Sequence, residues 1–160
     1  MHPRPTTDTT WIPLVRFIVP GKPVPKGRPR FAFRGRTVVS VRTDKKTKQY
    51  EDRVRFFAVG AMAGSSKVPA GVPVRLDVLA IHPRPIKYNR KKDPDASFFK
   101  VTRTGGDLDN HIKAVSDALN GVVYEDDSQV SVIRGEQHIA GKKGEPQSVV
   151  TVFVPYGWNS

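Results

Sequence analysis

Apolar residues run along this chain of 160 residues in two rhythms, and the switches between them mark its elements. The first run, LVRFIV at 14–19, is rich in β-branched and aromatic side chains and is bounded by Pro13 and Pro20, which predicts a strand. The next sixteen residues, GKPVPKGRPRFAFRGR, hold three prolines and three glycines. They cannot form a helix, so a long loop or loose hairpin ending in the extended TVVSVR is expected. Over 43–63 the rhythm becomes helical: Tyr50, Val54, Phe57, Ala58 and Ala61 recur along one stripe, with Thr43 or Asp44 available as a cap. A stripe of this kind is core packing and takes no chemical role.

After a connector at 64–71, alternation returns. Val74, Leu76, Val78 and Ala80 share one face of a strand over 73–81. Residues 82–106 show no sustained period, and a loop of that length is functional or mobile. A second helix is expected from about Asp109 to Asn120, burying Ile112, Val115, Ala118 and Leu119, with Gly121 just past its end. Two short strands at 122–124 and 129–134 flank an acidic turn, Glu125–Asp126–Asp127. The last strand, 148–154, is apolar on both faces, which predicts a central place in the sheet. Residues 1–12, rich in Pro and Thr, predict a flexible arm before a single domain at 13–160.

Composition narrows the picture. With no cysteine, disulfides, zinc-thiolate sites and thiol catalysis are excluded, and a soluble protein of a reducing compartment is expected. No run of eighteen apolar residues exists to cross a membrane, and the first residues lack the apolar stretch of a secretory leader. The formal charge of +12 changes the picture most, because it asks for a polyanionic partner. No basic amphipathic helix with a Trp or Leu face is evident, so nucleic acid is favoured over a membrane surface. Between residues 22 and 48 there are ten Lys or Arg and one acid. Among them Lys22, Lys26, Arg28, Arg30, Arg34 and Arg36 are the candidate phosphate contacts. Phe31 and Phe33 alternate with these charges; stacking on bases is possible chemistry, but core-facing positions in a strand are the reading adopted for the rings. The seven Lys or Arg of residues 82–106 predict a second DNA-contacting flap. His82 and His111 stand without a spaced partner and are not read as metal ligands.

Against this background, acids gather in one place. Six of the fifteen, Asp107, Asp109, Asp117, Glu125, Asp126 and Asp127, fall within 107–127 against the single Lys113. That window is therefore −5 and the remainder +17, which sum to the total of +12. Asp107 and Asp109 are two residues apart just before a helix, so in extended geometry their side chains point the same way. Two such carboxylates suit one hard cation, and the 126–127 corner could close the site. Mg²⁺ takes few protein carboxylates and completes its shell with water and phosphate oxygens; the doubled arrangement is the two-metal clamp of nucleases. At 100° per residue, Asp109, Lys113 and Asp117 fall within about 80° of one another on the helix. An EF-hand would need Gly and Glu where Ile112 and Ala118 stand. A glycosidase would use two carboxylates, but its substrate does not explain the surrounding positive charge. Capping by Asp109 and ordinary turn acids explain each residue singly, not the set with Lys113.

The run D-L-D-N-x-x-K-x-x-x-D-A-L-N-G, followed by the D-D-S-Q-V corner, resembles the RusA family of Holliday junction resolvases. GKPVPKGRPRF resembles the basic N-terminal signature of that family's phage branch, and the likeness extends over roughly residues 15–154. The resemblance implies a small α/β (α+β) fold, a mixed β-sheet packed with two main helices, assembled as a homodimer. It also implies Mg²⁺-dependent cleavage of branched DNA at paired positions, with Mn²⁺ as an expected substitute and four-way junctions as substrate, in the cytoplasm of a bacterial or phage-infected cell. Position by position, Asp107, Asp109 and Asp127 match the metal-binding carboxylates and Lys113 the active-site lysine. Asp126 precedes the catalytic acid, and Asp117 is expected to hold Lys113 as an i,i+4 pair. His111 stands where the family usually has Leu, Gly105–Gly106 replace Pro or basic residues, and GEQHIAG lacks a common lysine. A broader nuclease for flaps and forks, or a nucleic-acid-binding protein without catalysis, remains as an alternative.

Overall fold

A strand whose alternate side chains are apolar can bury one face only, and that constraint sets the architecture here. The computed structural model describes residues 6–28 and 30–158, with the backbone alone for Arg30. In chain order the elements are β1 (Trp11–Pro20), β2 (Arg30–Arg34), β3 (Thr37–Arg42), α1 (Lys45–Ala61), β4 (Val74–His82), β5 (Phe98–Phe99), α2 (Leu108–Leu119), β6 (Val130–Ile139) and β7 (Gln147–Pro155). β1, β7, β4, β6 and β5 lie side by side in that order in one mixed sheet; only β4 and β6 run parallel, and α2 is the helix between them in sequence. β2 and β3 form a separate two-stranded ribbon. The result is an α+β fold, a mixed sheet with two helices.

Both helices contribute to a core against one side of the sheet. Val15, Phe17 and Val19 of β1, Leu76 and Val78 of β4, and Val150 and Val152 of β7 are buried with Tyr50, Val54 and Ala58 of α1 and Val115, Ala118 and Leu119 of α2. Burying each such large side chain stabilises the fold by about 1.5–3 kcal/mol before entropy is counted. Gly135 of β6 lets α2 come close: a Cβ there would stand 2.6 Å from Ile112 Cδ1 and 3.2 Å from Leu108 Cδ1. The two fully buried tyrosine hydroxyls are paired. The Tyr50 hydroxyl lies 2.7 Å from Ser148 Oγ, and Tyr124 donates to the Ser116 carbonyl at 2.9 Å.

Several expectations are corrected. Trp11 and Ile12 belong to β1, paired with Pro155 and Val154, so the expected flexible arm ends before them; residues 1–5 of that arm lie outside the described residues. Residues 122–124 are not a strand but a tight return after α2, where Gly121 N–H donates to the Tyr124 carbonyl at 2.8 Å and Val123 and Tyr124 fill the core. β7 is interior, yet its burial alternates, because among the described residues no helix covers the second face of the sheet. Asp44 is the cap of α1, its side chain accepting from Lys46 N–H. Ala61 is exposed at the end of the helix. Phe31 and Phe33 are 54% and 62% exposed, not core-facing, since neither sheet nor helix covers their face of the ribbon. Among the described residues no helix is long and apolar enough to cross a membrane.

Candidate active site at the start of α2

The turn that leads into α2 is held from three sides. Gly105 and Gly106 both have φ of +92°, a region closed to most side chains. A Cβ on Gly106 would stand 2.5 Å from Pro25 Cγ, and one on Gly105 would stand 3.0 Å from His82 Nδ1. Lys100 Nζ donates to the carbonyls of Thr102 at 2.6 Å and Gly106 at 2.9 Å. His111, fully buried on α2, donates from Nε2 to the Gly105 carbonyl at 2.8 Å. Its ring meets His82 edge to face at 5.0 Å, and His82 Nε2 donates to Gln137 Oε1 at 2.8 Å. Burial pushes His111 down to about 4 against the pull of the Gly105 carbonyl, and burial lowers His82 too, so both are neutral at neutral pH. Two histidines that stand alone in the sequence are neighbours here. Gly105–Gly106 and His111 act as one device, the buried imidazole bonding the glycine turn.

Asp107 occupies the N-cap position of α2 without using its side chain as a cap, and Asp109 lies in the first turn. Both are exposed, as is Lys113 one turn further along. The positive end of the helix dipole stabilises carboxylates in this first turn. Asp117 does not take up the expected pair with Lys113. It accepts from Lys26 Nζ at 2.8 Å, and the same ammonium lies 2.5 Å from Glu51. Burial works against the charge of Lys26, but Asp117 and Glu51 outweigh it, and the ammonium is held above its ordinary range. Spacing along a single helix could not foresee a partner from the loop before β2. Lys26 is therefore tied to both helices; its N–H also bonds the Asn110 carbonyl at 2.9 Å.

The corner after α2 is equally well built. Asp126 accepts from Ser128 N–H at 2.9 Å, and the Ser128 side chain first and this N–H second lower its carboxyl below the usual range. Gln129 Oε1 accepts from the backbone of Glu125 and Asp126, while its Nε2 donates to the carbonyls of Pro69 and Val72. Glu125 pairs with Lys67 at 2.9 Å. Asp127, half-exposed, makes no side-chain hydrogen bond or ion pair among the described residues. It lies within electrostatic reach of the buried Tyr124 hydroxyl, as does Asp117, and burial first and these acids second push that hydroxyl up.

The six acids thus sort into two groups. Asp117, Glu125 and Asp126 have partners; Asp107, Asp109 and Asp127 have no side-chain hydrogen bond or ion pair among the described residues. Three unengaged carboxylates are the hard oxygen donors that Mg²⁺ prefers, so the donor chemistry fits that cation. The trio is not drawn together in this structure: among the described residues, no three His, Asp or Glu side chains gather closely enough to hold a metal ion.

Of the candidate phosphate contacts, Lys22, Arg28, Arg34 and Arg36 are exposed, and the side chain of Arg30 lies outside the described residues. In the 82–106 loop, Arg84 is a structural hub. It donates to the carbonyls of Tyr88, Pro94 and Ala140 and stacks over Phe98 at 5.3 Å. Lys87, Arg90, Lys91, Lys92 and Arg103 remain on the surface. Nothing in the sequence separated the hub from the surface charges.

Comparison with known proteins places these observations. The family model described as Endodeoxyribonuclease RusA matches residues 20–152. The chain is also similar to the uncharacterized protein YqaN of Bacillus subtilis (strain 168), 36% identical over 122 residues, which span 72% of this chain and 81% of that relative.

Proposed function

This chain belongs to the RusA endodeoxyribonuclease family, and on that premise we propose that it hydrolyses phosphodiester bonds in four-way DNA junctions with Mg²⁺ as cofactor. The observation that carries this reading is the division of the acids. Asp107, Asp109 and Asp127, left among the described residues without side-chain hydrogen-bond or ion-pair partners, are the residues that would hold the metal, and Lys113 is exposed one turn along α2 from Asp109. When bound, Mg²⁺ supplies Lewis acidity to a phosphoryl oxygen and lowers the pKa of a water for in-line attack; Mn²⁺ meets the same donor set. The chain's own contributions are charge and position. The Lys113 ammonium, with no carboxylate bonded to it among the described residues, would stabilise charge that develops on the phosphoryl oxygens. The glycine turn, bonded by His111 and Lys100, fixes where Asp107 leaves the loop and Asp109 enters the helix. Exposed Lys22, Arg28, Arg34 and Arg36 would hold phosphates without reading sequence. A homodimer would present two identical sites, as two opposed cuts require.

The test is an end-labelled four-way junction incubated with Mg²⁺ or with EDTA, beside a fork, a flap and a linear duplex. Paired cuts in the junction that need the metal are the expected result. Equal rates on forks and flaps would replace junction resolution with a broader structure-specific nuclease. Binding without any cleavage in Mg²⁺ or Mn²⁺ would leave a nucleic-acid-binding protein.

A further inference from the structure

We propose that the β2–β3 ribbon recognises the branch itself, laying the rings of Phe31 and Phe33 against bases left unstacked there while nearby arginines hold the flanking phosphates. The inference rests on the branched-DNA reading above.

Cross-strand pairing sorts the ribbon into two faces. Phe31 lies opposite Val41 and Phe33 opposite Val38, so these four share one face; Ala32 lies opposite Ser40 and Arg34 opposite Thr37 on the other. A ribbon with one apolar face ordinarily buries it against a core. Here Phe31, Phe33, Val38 and Val41 are all exposed, and every residue of β3 except Ser40 stands in solvent. The two rings lie 6.4 Å apart and tilted by 43°, side by side on the open face. Arg34 and Arg36 at the turn and Arg28 at the base are exposed around them.

The entering end of the ribbon is held beside the start of α2, and its leaving end borders a groove that α2 also lines. On the entering side, Pro25 packs under Gly106 and Lys26 is bonded to Asn110, Glu51 and Asp117. On the leaving side, Arg42 and Thr43 line a groove of mixed charge with Lys48, Glu51, Asp52, Arg55 and Asp117. A duplex arm whose phosphate reached Asp109 and Lys113 would pass the base of the ribbon.

Charge selects the occupant. The segment from 22 to 48 carries ten Lys or Arg against one acid, so a second copy bringing its own ribbon here would meet strong like-charge repulsion, whereas DNA brings counter-charge. Paired duplex offers no free base faces; a branch point does, and aromatic rings stack on such faces with little regard to sequence.

The test compares wild type, F31A/F33A and F31W/F33W on a four-way junction and on a linear duplex of equal length, each carrying 2-aminopurine next to the branch or at the matching position. Wild type and the Trp variant should prefer the junction and change the 2-aminopurine emission. F31A/F33A should lose at least about tenfold in junction affinity while duplex affinity stays within about twofold. Sedimentation of all three should give the same mass. Retained junction preference in F31A/F33A overturns the inference, and so does a lower mass for that variant, which would make the apolar face a contact between copies. Wild type that binds junction and duplex alike would sink the branched-DNA reading, and this inference with it.

Discussion

Asp107, Asp109 and Asp127 stand apart from their acidic neighbours because no side chain or N–H among the described residues answers their charge. If they hold the cation, Asp107→Asn and Asp127→Asn should slow junction cleavage by roughly a hundredfold or more. Binding without metal should be kept or tightened, since negative charge near phosphate is removed; single-turnover rates and gel shifts read the two separately. Lys113→Ala should likewise bind normally and cut roughly a hundredfold more slowly. A defect in affinity alone would reduce Lys113 to a contact residue.

His111 supplies a different prediction. In the unfolded chain a histidine takes a proton below about 6.5, whereas in the folded protein burial holds His111 to about 4. Across that window the unfolded state binds the extra proton, so stability is lost as pH falls through it, by up to ~3 kcal/mol from this group. Denaturant melts at pH 7 and pH 5 should show the loss, and His111→Leu should shrink it.

At the scale of elements, the site depends on how α2 is seated. Gly106 has no room for a Cβ over Pro25 and a backbone that disfavours one. Gly106→Ala should therefore cost about 1–3 kcal/mol and lower the melting temperature. Since the turn also aims Asp107, cleavage should fall with it at temperatures where the variant is still folded. The amphipathic stripe of α2 was legible in sequence because it repeats at helical spacing along one element, and the acids and lysine of 107–113 stood out there as a local cluster of charge. The seating of that element was not. Pro25, His82 and Lys100, which fix it, come from three other segments that no periodicity links to it.

At the scale of the molecule, a charge of +12, with six of the fifteen acids confined to residues 107–127, should make DNA binding electrostatic and sensitive to salt. The logarithm of affinity should fall linearly with the logarithm of salt concentration, by about 0.9 for each phosphate neutralised on duplex arms. Arg34→Ala and Arg36→Ala should each reduce that slope by about 1; an unchanged slope would remove them from the DNA contact surface. Lys26→Ala should leave the slope almost untouched, because its ammonium already faces Asp117 and Glu51. It should instead destabilise the fold, by about 1–2 kcal/mol for two half-buried carboxylates left without their cation, visible as an earlier denaturant midpoint.

By itself the sequence determined what depends on neighbours in the chain. Periodicity marked the two helices and the strands β1, β4 and β7, and local spacing marked the acid–lysine constellation of α2 with its D-D corner. These readings work because side chains three or four apart on a helix, or two apart on a strand, must share a face. Only the tertiary structure decided which charges find partners across the fold. It gave Asp117 to Lys26 and Glu125 to Lys67, bonded Asp126 locally, and left Asp107, Asp109 and Asp127 unengaged among the described residues. It also left the rings of Phe31 and Phe33 uncovered, although their alternation suits a buried strand equally well. The reason is physical: burial and ion pairing depend on what arrives from distant parts of the chain, and spacing along one segment carries no record of that.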